Sequence, residues 1–189
     1  MKKTATPQRI YEIKVTLLDA EPPIWRRLQV GDGVSLGQFH DILQTVMGWT
    51  DSHLHQFIKG KTFYGAVDPL FDGEDEAKTK LRDVLQRSED RLVYEYDFGD
   101  GWTHEIVLER ITAAAPGCIY PHVLGGERAC PPEDCGGIPG YYYILEALKN
   151  PRRSKYKEIL AWIEPDYDPE AFDAQATNQV LRRTALLVQ

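Results

Sequence analysis

The sequence predicts an α+β fold, in which a mixed, mainly antiparallel and β-grasp-like sheet packs against one helix and C-terminal helices follow. Residues 11–17 and 91–108 alternate apolar and polar side chains with the two-residue period of strands. Residues 36–47 repeat apolar side chains at helical spacing instead. One clear helix among several strands indicates a layered structure. We expect a flexible tail over residues 1–9 and a single domain over 10–189, helical from about residue 140.

Composition and charge narrow the class of protein. The chain has 189 residues, enough for one sizeable domain, and its net charge of −7 argues against wholesale binding to nucleic acid or anionic membrane. No apolar run approaches the roughly 20 residues of a membrane span. The basic N-terminus lacks the apolar segment of a signal peptide, so we expect a cytoplasmic protein without a membrane partner. Three cysteines suit reduced thiols or metal ligation better than a disulfide framework.

Four short segments outside the 91–108 hairpin predict strands. Residues 11–17 form the first, and residues 24–30 follow a turn with paired prolines and should pair with it. A third strand is predicted over 53–58, and a tight turn leads from it into a fourth over 62–64. The sheet is therefore expected to surround the central hairpin.

The clear helix has its own start and stop signals. Ser35 and Gln38 have capping-box spacing, and Gly48 ends the apolar stripe. The acidic, Gly- and Pro-containing residues 65–80 are interpreted as a solvated loop, before a short helix over 80–86.

The hairpin is predicted to turn at Gly99–Gly101, because glycines accept positive φ. The predicted cross-strand pairs are Phe98 with Trp102, Tyr96 with His104, Tyr94 with Ile106, and Leu92 with Leu108. On the other face Glu95 would oppose Glu105, a repulsive pair that needs a neutralising cation. We expect Arg26–Arg27 to supply it, although these residues could also stack on and pair with nucleic acid.

The chain changes character after Ile111. Residues 113–140 are rich in Gly, Pro and Cys and predict neither a strand nor a helix. Helices are expected over 141–149 and after Ser154, and the last helix should start at Asp168 or Asp173 and run to about Leu187.

Several side chains are candidate metal ligands. His53 and His55 lie two residues apart, which on a strand places both imidazoles on one face. Asp97, Asp100 or His104 could add a third ligand for Zn²⁺ or another divalent metal. The alternatives remain open. One histidine of the pair could pack in the core while the other caps a turn, His104 could be a hydrogen-bonded core residue, and the aspartates could bond their own loop.

The Cys-rich segment offers a second ligand set. Four soft or borderline ligands occur in the order Cys118-x3-His122-x7-Cys130-x4-Cys135. Four such ligands could close a structural zinc site. Alternatively, the prolines and glycines form a tight loop that buries the cysteines or presents Glu133 and Asp134.

Several separated motifs together resemble the plasmid pRiA4b Orf-3-like family over roughly residues 8–185. They are Pro23–Arg26, Met47–Trp49 with Ser52–Phe57, Tyr96–His104, Ala129–Gly137 with Gly140–Tyr141, and Asp168–Asp173. The resemblance implies an α+β domain found on plasmids and bacterial chromosomes, with no established activity. Some members are labelled passenger or resolvase-like proteins of insertion elements. Many relatives carry a further cysteine near the position of Val123. Its absence from this chain argues against zinc unless Cys118 or His122 substitutes.

These observations favour a non-enzymatic binding module of bacterial or mobile-element origin. Its pocket would lie between strand 53–57, hairpin 97–104 and loop 130–140. The predicted pocket residues are His53, His55, Asp97, Asp100, His104, Glu133, Asp134 and Arg26, and the predicted metal ligands are His53, His55, Cys130 and Cys135. The alternatives are a metal-dependent hydrolase with one carboxylate as general base, or a nucleic-acid-binding accessory that uses Arg26, Arg27, Arg152 and Arg153. The expected partner is accordingly a protein or a nucleic acid.

Overall fold

The computed structural model describes residues 9–67 and 72–187, and the side chains up to residue 183. In chain order the elements are β1 (Arg9–Leu17), β2 (Ile24–Gly31), α1 (Leu36–Met47), β3 (His55–Lys59), β4 (Thr62–Gly65), β5 (Glu74–Asp75), α2 (Leu81–Val84), β6 (Arg91–Tyr96), β7 (Trp102–Ala113), β8 (His122–Glu127), α3 (Gly137–Lys149), a 3₁₀ turn (Ser154–Tyr156), α4 (Lys157–Trp162) and α5 (Ala174–Leu187). The eight strands form one sheet in the order β5-β4-β3-β6-β7-β1-β2-β8. Of its seven pairings only β4–β5 is parallel, so the predicted mixed, mainly antiparallel α+β fold is confirmed.

One face of the sheet carries the core. Side chains of alternate strand residues are buried there, as the alternation in β1 and β2 predicts. The apolar stripe of α1 belongs to the same cluster, which Leu181 of α5 joins. Ser35 forms the predicted capping box, and Gly48 ends α1 in the left-handed region. The predicted tail over 1–9 lies outside the described residues, except Arg9, which begins β1.

The cross-strand register of the hairpin differs from the prediction. Each residue of β7 pairs with a β6 residue two positions earlier in the chain than predicted. Tyr96 pairs with Trp102 and Tyr94 with His104, so the loop spans 97–101. Asp97 causes the difference, because it takes φ +55° and its Oδ1 accepts the N–H groups at positions 99 and 100. A shift of two residues keeps each strand side chain on its predicted face. Only Phe98 moves, from the expected buried face to an exposed loop.

The predicted charge pairing on the outer face is wrong. Glu95 lies opposite Thr103 and accepts from Gln56, while Glu105 pairs with Arg91. Arg27 binds Glu109 through two hydrogen bonds of 2.6 and 2.9 Å. These are the bond lengths of a bidentate charge pair.

Two further predictions need correction. Within the segment expected to be irregular, residues 122–127 form β8, which pairs antiparallel with β2. The side-chain amide of Asn178 bonds both the N–H and the carbonyl of Val123, which fixes this edge strand to α5. In the segment expected to be a solvated loop, β5 pairs with β4, and Glu76 is buried.

The C-terminal helices are confirmed, with Asp173 rather than Asp168 at the start of α5. The Asp173 carboxylate accepts the N–H groups of residues 175 and 176. No helix among the described residues has both the length and the apolar character needed to cross a bilayer.

Candidate functional site

Three loops meet at one end of the β3–β6–β7 region, and we call this place the loop junction. It comprises residues 50–54, which precede β3, the hairpin loop 97–101, and residues 130–137, which lead into α3. The Asp97 N–H donates to the Leu54 carbonyl at 2.9 Å, which joins the first two loops.

The third loop is held against the hairpin loop by Asp100. Its Oδ2 accepts the Gly136 N–H at 3.1 Å. Gly137 has φ +66°, and a Cβ at this position would lie 2.4 Å from the Asp100 carbonyl oxygen. Only glycine therefore allows these two backbones to approach so closely.

The Glu133 carboxylate ties the third loop to the first. It accepts from the N–H and the hydroxyl of Thr50 and from the Tyr96 hydroxyl. The Tyr96 oxygen in turn accepts the Ser52 N–H at 3.0 Å. Burial, and then the neighbouring Glu133 carboxylate, raises the pKa of Tyr96 well above its ordinary value, so this tyrosine stays a hydroxyl donor.

At the loop junction one imidazole lies between two carboxylates. His53 Nε2 is 3.2 Å from Asp134 Oδ1 and 3.6 Å from Asp97 Oδ2. The three ligand atoms all lie within 4.8 Å of one another. We call His53, Asp97 and Asp134 the junction cluster. The Asp97 side chain is 8% exposed and that of Asp134 is 71% exposed, so the cluster opens to solvent on one side.

The loop backbone orients the Asp97 carboxylate. Because Oδ1 is engaged by two loop N–H groups, Oδ2 is the oxygen directed at His53. Neither carboxylate is aligned with the buried Nε2 of His53 well enough for a hydrogen bond, and no other described residue offers it one. A buried nitrogen without a partner costs free energy that a ligand or an ion would recover.

The donor set of the junction cluster suits a divalent cation. Carboxylate oxygens favour Mg²⁺ and Mn²⁺, whereas an imidazole nitrogen favours Zn²⁺ and related ions, so one nitrogen with two oxygens is a mixed set. Three protein ligands would leave coordination positions open for water or a bound molecule.

The structure separates the predicted histidine pair. His53 precedes β3, whereas His55 is its first residue and binds Glu76 through Nε2 at 2.9 Å. The His55 ring also stacks on His40 of α1. The two histidines thus enter different clusters, because the strand alternation that would align them begins only at His55.

Two other predicted pocket residues lie in the core. His104 is fully buried, with Nδ1 3.3 Å from the Tyr94 carbonyl oxygen, and its ring packs against Trp49. Arg26 is also buried and donates to the carbonyls of residues 25, 46 and 127. Both side chains face inward because they occupy buried positions of their strands, so neither is an exposed binding residue.

The cysteine set is not gathered into one site. Cys118 is exposed, Cys130 Sγ contacts Arg26 and Met47, and Cys135 Sγ faces a backbone carbonyl. Within residues 9–67 and 72–187, no three of the proposed zinc ligands lie within 4.8 Å of one another. Burial raises the pKa of Cys130 to about 11 and that of Cys135 to about 12, so both remain neutral thiols.

A cavity of about 670 Å³ lies beside the loop junction. Trp49, Trp162, Tyr167 and Phe172 contribute aromatic walls. Of the predicted pocket residues only Glu133 and Arg26 line it, and Phe172 lies over the Arg26 guanidinium at 3.9 Å. The predicted pocket is therefore divided between this aromatic cavity and the junction cluster.

The sequence analysis did not select His40, Asp51 or Glu76, although all three join His55 in a second cluster. The sequence could have revealed that His40 is buried. It follows Leu36 by four residues and precedes Leu43 by three, so it lies on the buried stripe of α1. Glu76 stands in an acidic run, and no local pattern distinguishes it from its exposed neighbours.

Comparison with known proteins decides the family. A family model described as plasmid pRiA4b ORF-3-like protein matches residues 9–176. The chain belongs to this family. It is 38% identical over 176 residues to the uncharacterized protein y4hQ of Sinorhizobium fredii (strain NBRC 101917 / NGR234), a match that covers 91% of this chain and 90% of that protein.

A solved structure of similar sequence shares the pRiA4b ORF-3-like fold. It is the crystal structure of MM3350, a protein of unknown function from Methanosarcina mazei Go1. The two chains are 36% identical and superpose with a TM-score of 0.82, over 90% of this chain and 98% of that one.

Proposed function

We propose that this protein is a binding module whose ligand is held through a divalent cation at the junction cluster. A single observation carries the proposal. Three ligand atoms from three separate loops, His53 Nε2, Asp97 Oδ2 and Asp134 Oδ1, lie within 4.8 Å of one another, and the nitrogen finds no hydrogen-bond partner among the described residues. Mn²⁺ is the ion that best suits a set with more oxygen than nitrogen.

The position of the junction cluster supports a role in binding rather than in folding alone. Asp97 is fixed by its own loop, while Asp134 lies exposed on the rim. A cation held there would keep its remaining coordination positions toward solvent, where an oxygen-bearing ligand could occupy them. Rigid ligands on one side and an open face on the other are what a cation-mediated binding site requires.

Titration calorimetry with Mn²⁺ tests the proposal. The variant pair Asp97→Asn and Asp134→Asn, made together, should weaken Mn²⁺ binding at least tenfold. Asparagine accepts the positive φ at both positions and can keep the Asp97 loop bonds, so the fold should remain intact. Asp166→Asn, at an exposed position that is not one of the three ligands, is the matched control. Equal affinities for the double variant and the control would overturn the proposal.

A metal-dependent hydrolase is the alternative that one further observation favours. Glu133 belongs to the same loop junction and is oriented by Thr50 and Tyr96, as a general base would be. Mn²⁺-dependent cleavage of nitrophenyl phosphate or acetate, lost in Glu133→Gln, would support an enzyme. If neither substrate is cleaved by the Mn²⁺-loaded protein, the binding function remains the better account. The nucleic-acid alternative lacks comparable support. Arg26 is buried and Arg27 is paired with Glu109, which leaves the exposed Arg152 and Arg153 against a net charge of −7.

A further inference from the structure

We propose that the protein has a second, more enclosed metal site, formed by His40, Asp51 and His55 and supported by Glu76, that takes a transition metal ion of the Zn²⁺ class. These residues come from α1, from the segment before β3, from β3 itself and from the segment after β5. We call them the histidine-pair cluster. It shares no residue with the junction cluster, and the inference does not depend on the proposed function.

Two imidazoles face each other inside this cluster. The His40 and His55 rings are parallel to within 3°, with centroids 3.4 Å apart. His40 Nε2 lies 2.9 Å from Asp51 Oδ1, and the ligand atoms of His40, Asp51 and His55 all lie within 4.8 Å of one another. Two nitrogens and a carboxylate oxygen thus converge within the span of one coordination sphere.

Glu76 lies behind His55, outside the set of three ligand atoms. Its Oε2 is 2.9 Å from His55 Nε2, and its side chain is only 10% exposed. Its backbone carbonyl accepts the Gly37 N–H in the first turn of α1, which holds the residue close to the helix. An acidic side chain is seldom this buried without a partner, and here the partner is an imidazole.

Residues behind the ligands hold them in place. His40 Nδ1 is 2.8 Å from the Tyr94 hydroxyl, which also accepts from Gln44 Nε2. The other end of the Gln44 side chain accepts the Asp51 N–H at 2.9 Å. One glutamine thereby positions both a histidine and an aspartate, an arrangement typical of outer-shell residues at metal sites.

The donor chemistry selects the class of ion. Imidazole nitrogens suit Zn²⁺, Cu²⁺, Fe²⁺ and Ni²⁺, whereas Mg²⁺ and Ca²⁺ prefer all-oxygen sites. The Asp51 carboxylate, together with that of Glu76 behind His55, would offset the charge of a divalent ion. The parallel rings would tilt apart to direct both nitrogens at the ion.

Zn²⁺ titration of the Asp97→Asn/Asp134→Asn protein tests this inference without interference from the junction cluster. We expect one equivalent of Zn²⁺ to bind and excess Mg²⁺ to leave that binding unchanged. Adding His55→Gln should weaken Zn²⁺ binding at least tenfold. His122→Gln is the matched control, because four strands separate β8 from β3 in the sheet.

Asp51→Asn provides a second variant in case His55→Gln does not fold. Asp51 is 57% exposed with φ +56°, and Gln44 contacts its backbone rather than its carboxylate, so asparagine should leave the structure unchanged. It should weaken Zn²⁺ binding in the same background. Unchanged affinity in both variants, or no stoichiometric Zn²⁺ in the background protein, would overturn the second site. Neither result would affect the Mn²⁺ test of the junction cluster.

Discussion

At the scale of single residues, the core contains polar groups whose charge state the fold controls. His104 is fully buried, its Nδ1 approaches only a strand carbonyl, and its Nε2 has no partner among the described residues. Burial lowers the pKa of His104 from its ordinary value of 6.5 to about 4, since a buried imidazolium loses its hydration. The folded protein therefore holds this residue neutral where the unfolded chain would protonate it.

This difference predicts acid sensitivity. The pKa of His104 is lower in the folded protein than in the unfolded chain. The stabilisation that comes from keeping His104 neutral is therefore fully present above pH 6.5 and is lost as the pH falls toward about 4. The loss over that window should be about 3 kcal/mol, the free energy of a shift of this size. The free energy of unfolding, measured by urea denaturation at several pH values, should depend less on pH in His104→Phe than in the wild-type protein. Parallel curves for the two proteins would contradict this account.

The neighbouring arginines Arg26 and Arg27 allow a second test at this scale. Arg26 is buried and donates to three carbonyls, including that of Val46 near the end of α1. Arg26→Met should lower the free energy of unfolding by about 3 kcal/mol or more, because buried acceptors lose their donor. Arg27→Met removes a half-exposed ion pair and should cost about 1 kcal/mol or less. If chemical denaturation gives equal losses of unfolding free energy for Arg26→Met and Arg27→Met, burial does not distinguish the two arginines.

At the scale of elements, alternation predicted the arms of the hairpin but not its register. The two-residue period of apolar side chains determines which face of the sheet a side chain occupies. Strands β1, β2, β6 and β7 follow this period. The register depends on the loop, where Asp97 rather than glycine determines where pairing ends. Strand β8 was missed for a related reason. Its two glycines suggest a loop, yet a Cβ on Gly126 would lie 2.7 Å from Phe172 and from the Trp25 carbonyl.

The contact between two loops gives a prediction at this scale. Gly137→Ala should displace residues 130–137 from the hairpin loop, because the added Cβ would meet the Asp100 carbonyl at 2.4 Å and φ is positive. We expect a loss of stability of about 1–3 kcal/mol and weaker Mn²⁺ binding, since Asp134 lies on the displaced loop. Gly125→Ala is the matched control, because no atom lies within 4 Å of its Cβ position. If thermal unfolding shows the same loss of stability in Gly137→Ala and Gly125→Ala, the proposed contact is wrong.

At the scale of the whole molecule, the sequence assigned the candidate ligands to one pocket but did not separate the two clusters that they form. His53, Asp97 and Asp134 were all selected, yet His53 was paired with His55 because spacing along a strand was the only distance available. The true neighbours come from loops 37 or more residues apart, and their approach depends on a glycine contact and on Asp100. Tertiary contacts of this kind leave no periodic signal in the sequence.

Anomalous X-ray scattering from crystals grown with Mn²⁺ tests the central claim most directly. The account predicts a peak at the manganese edge that is bonded to His53 Nε2, Asp97 Oδ2 and Asp134 Oδ1. A crystal that holds Mn²⁺ only at the histidine-pair cluster, or that shows no peak at the loop junction, would contradict it.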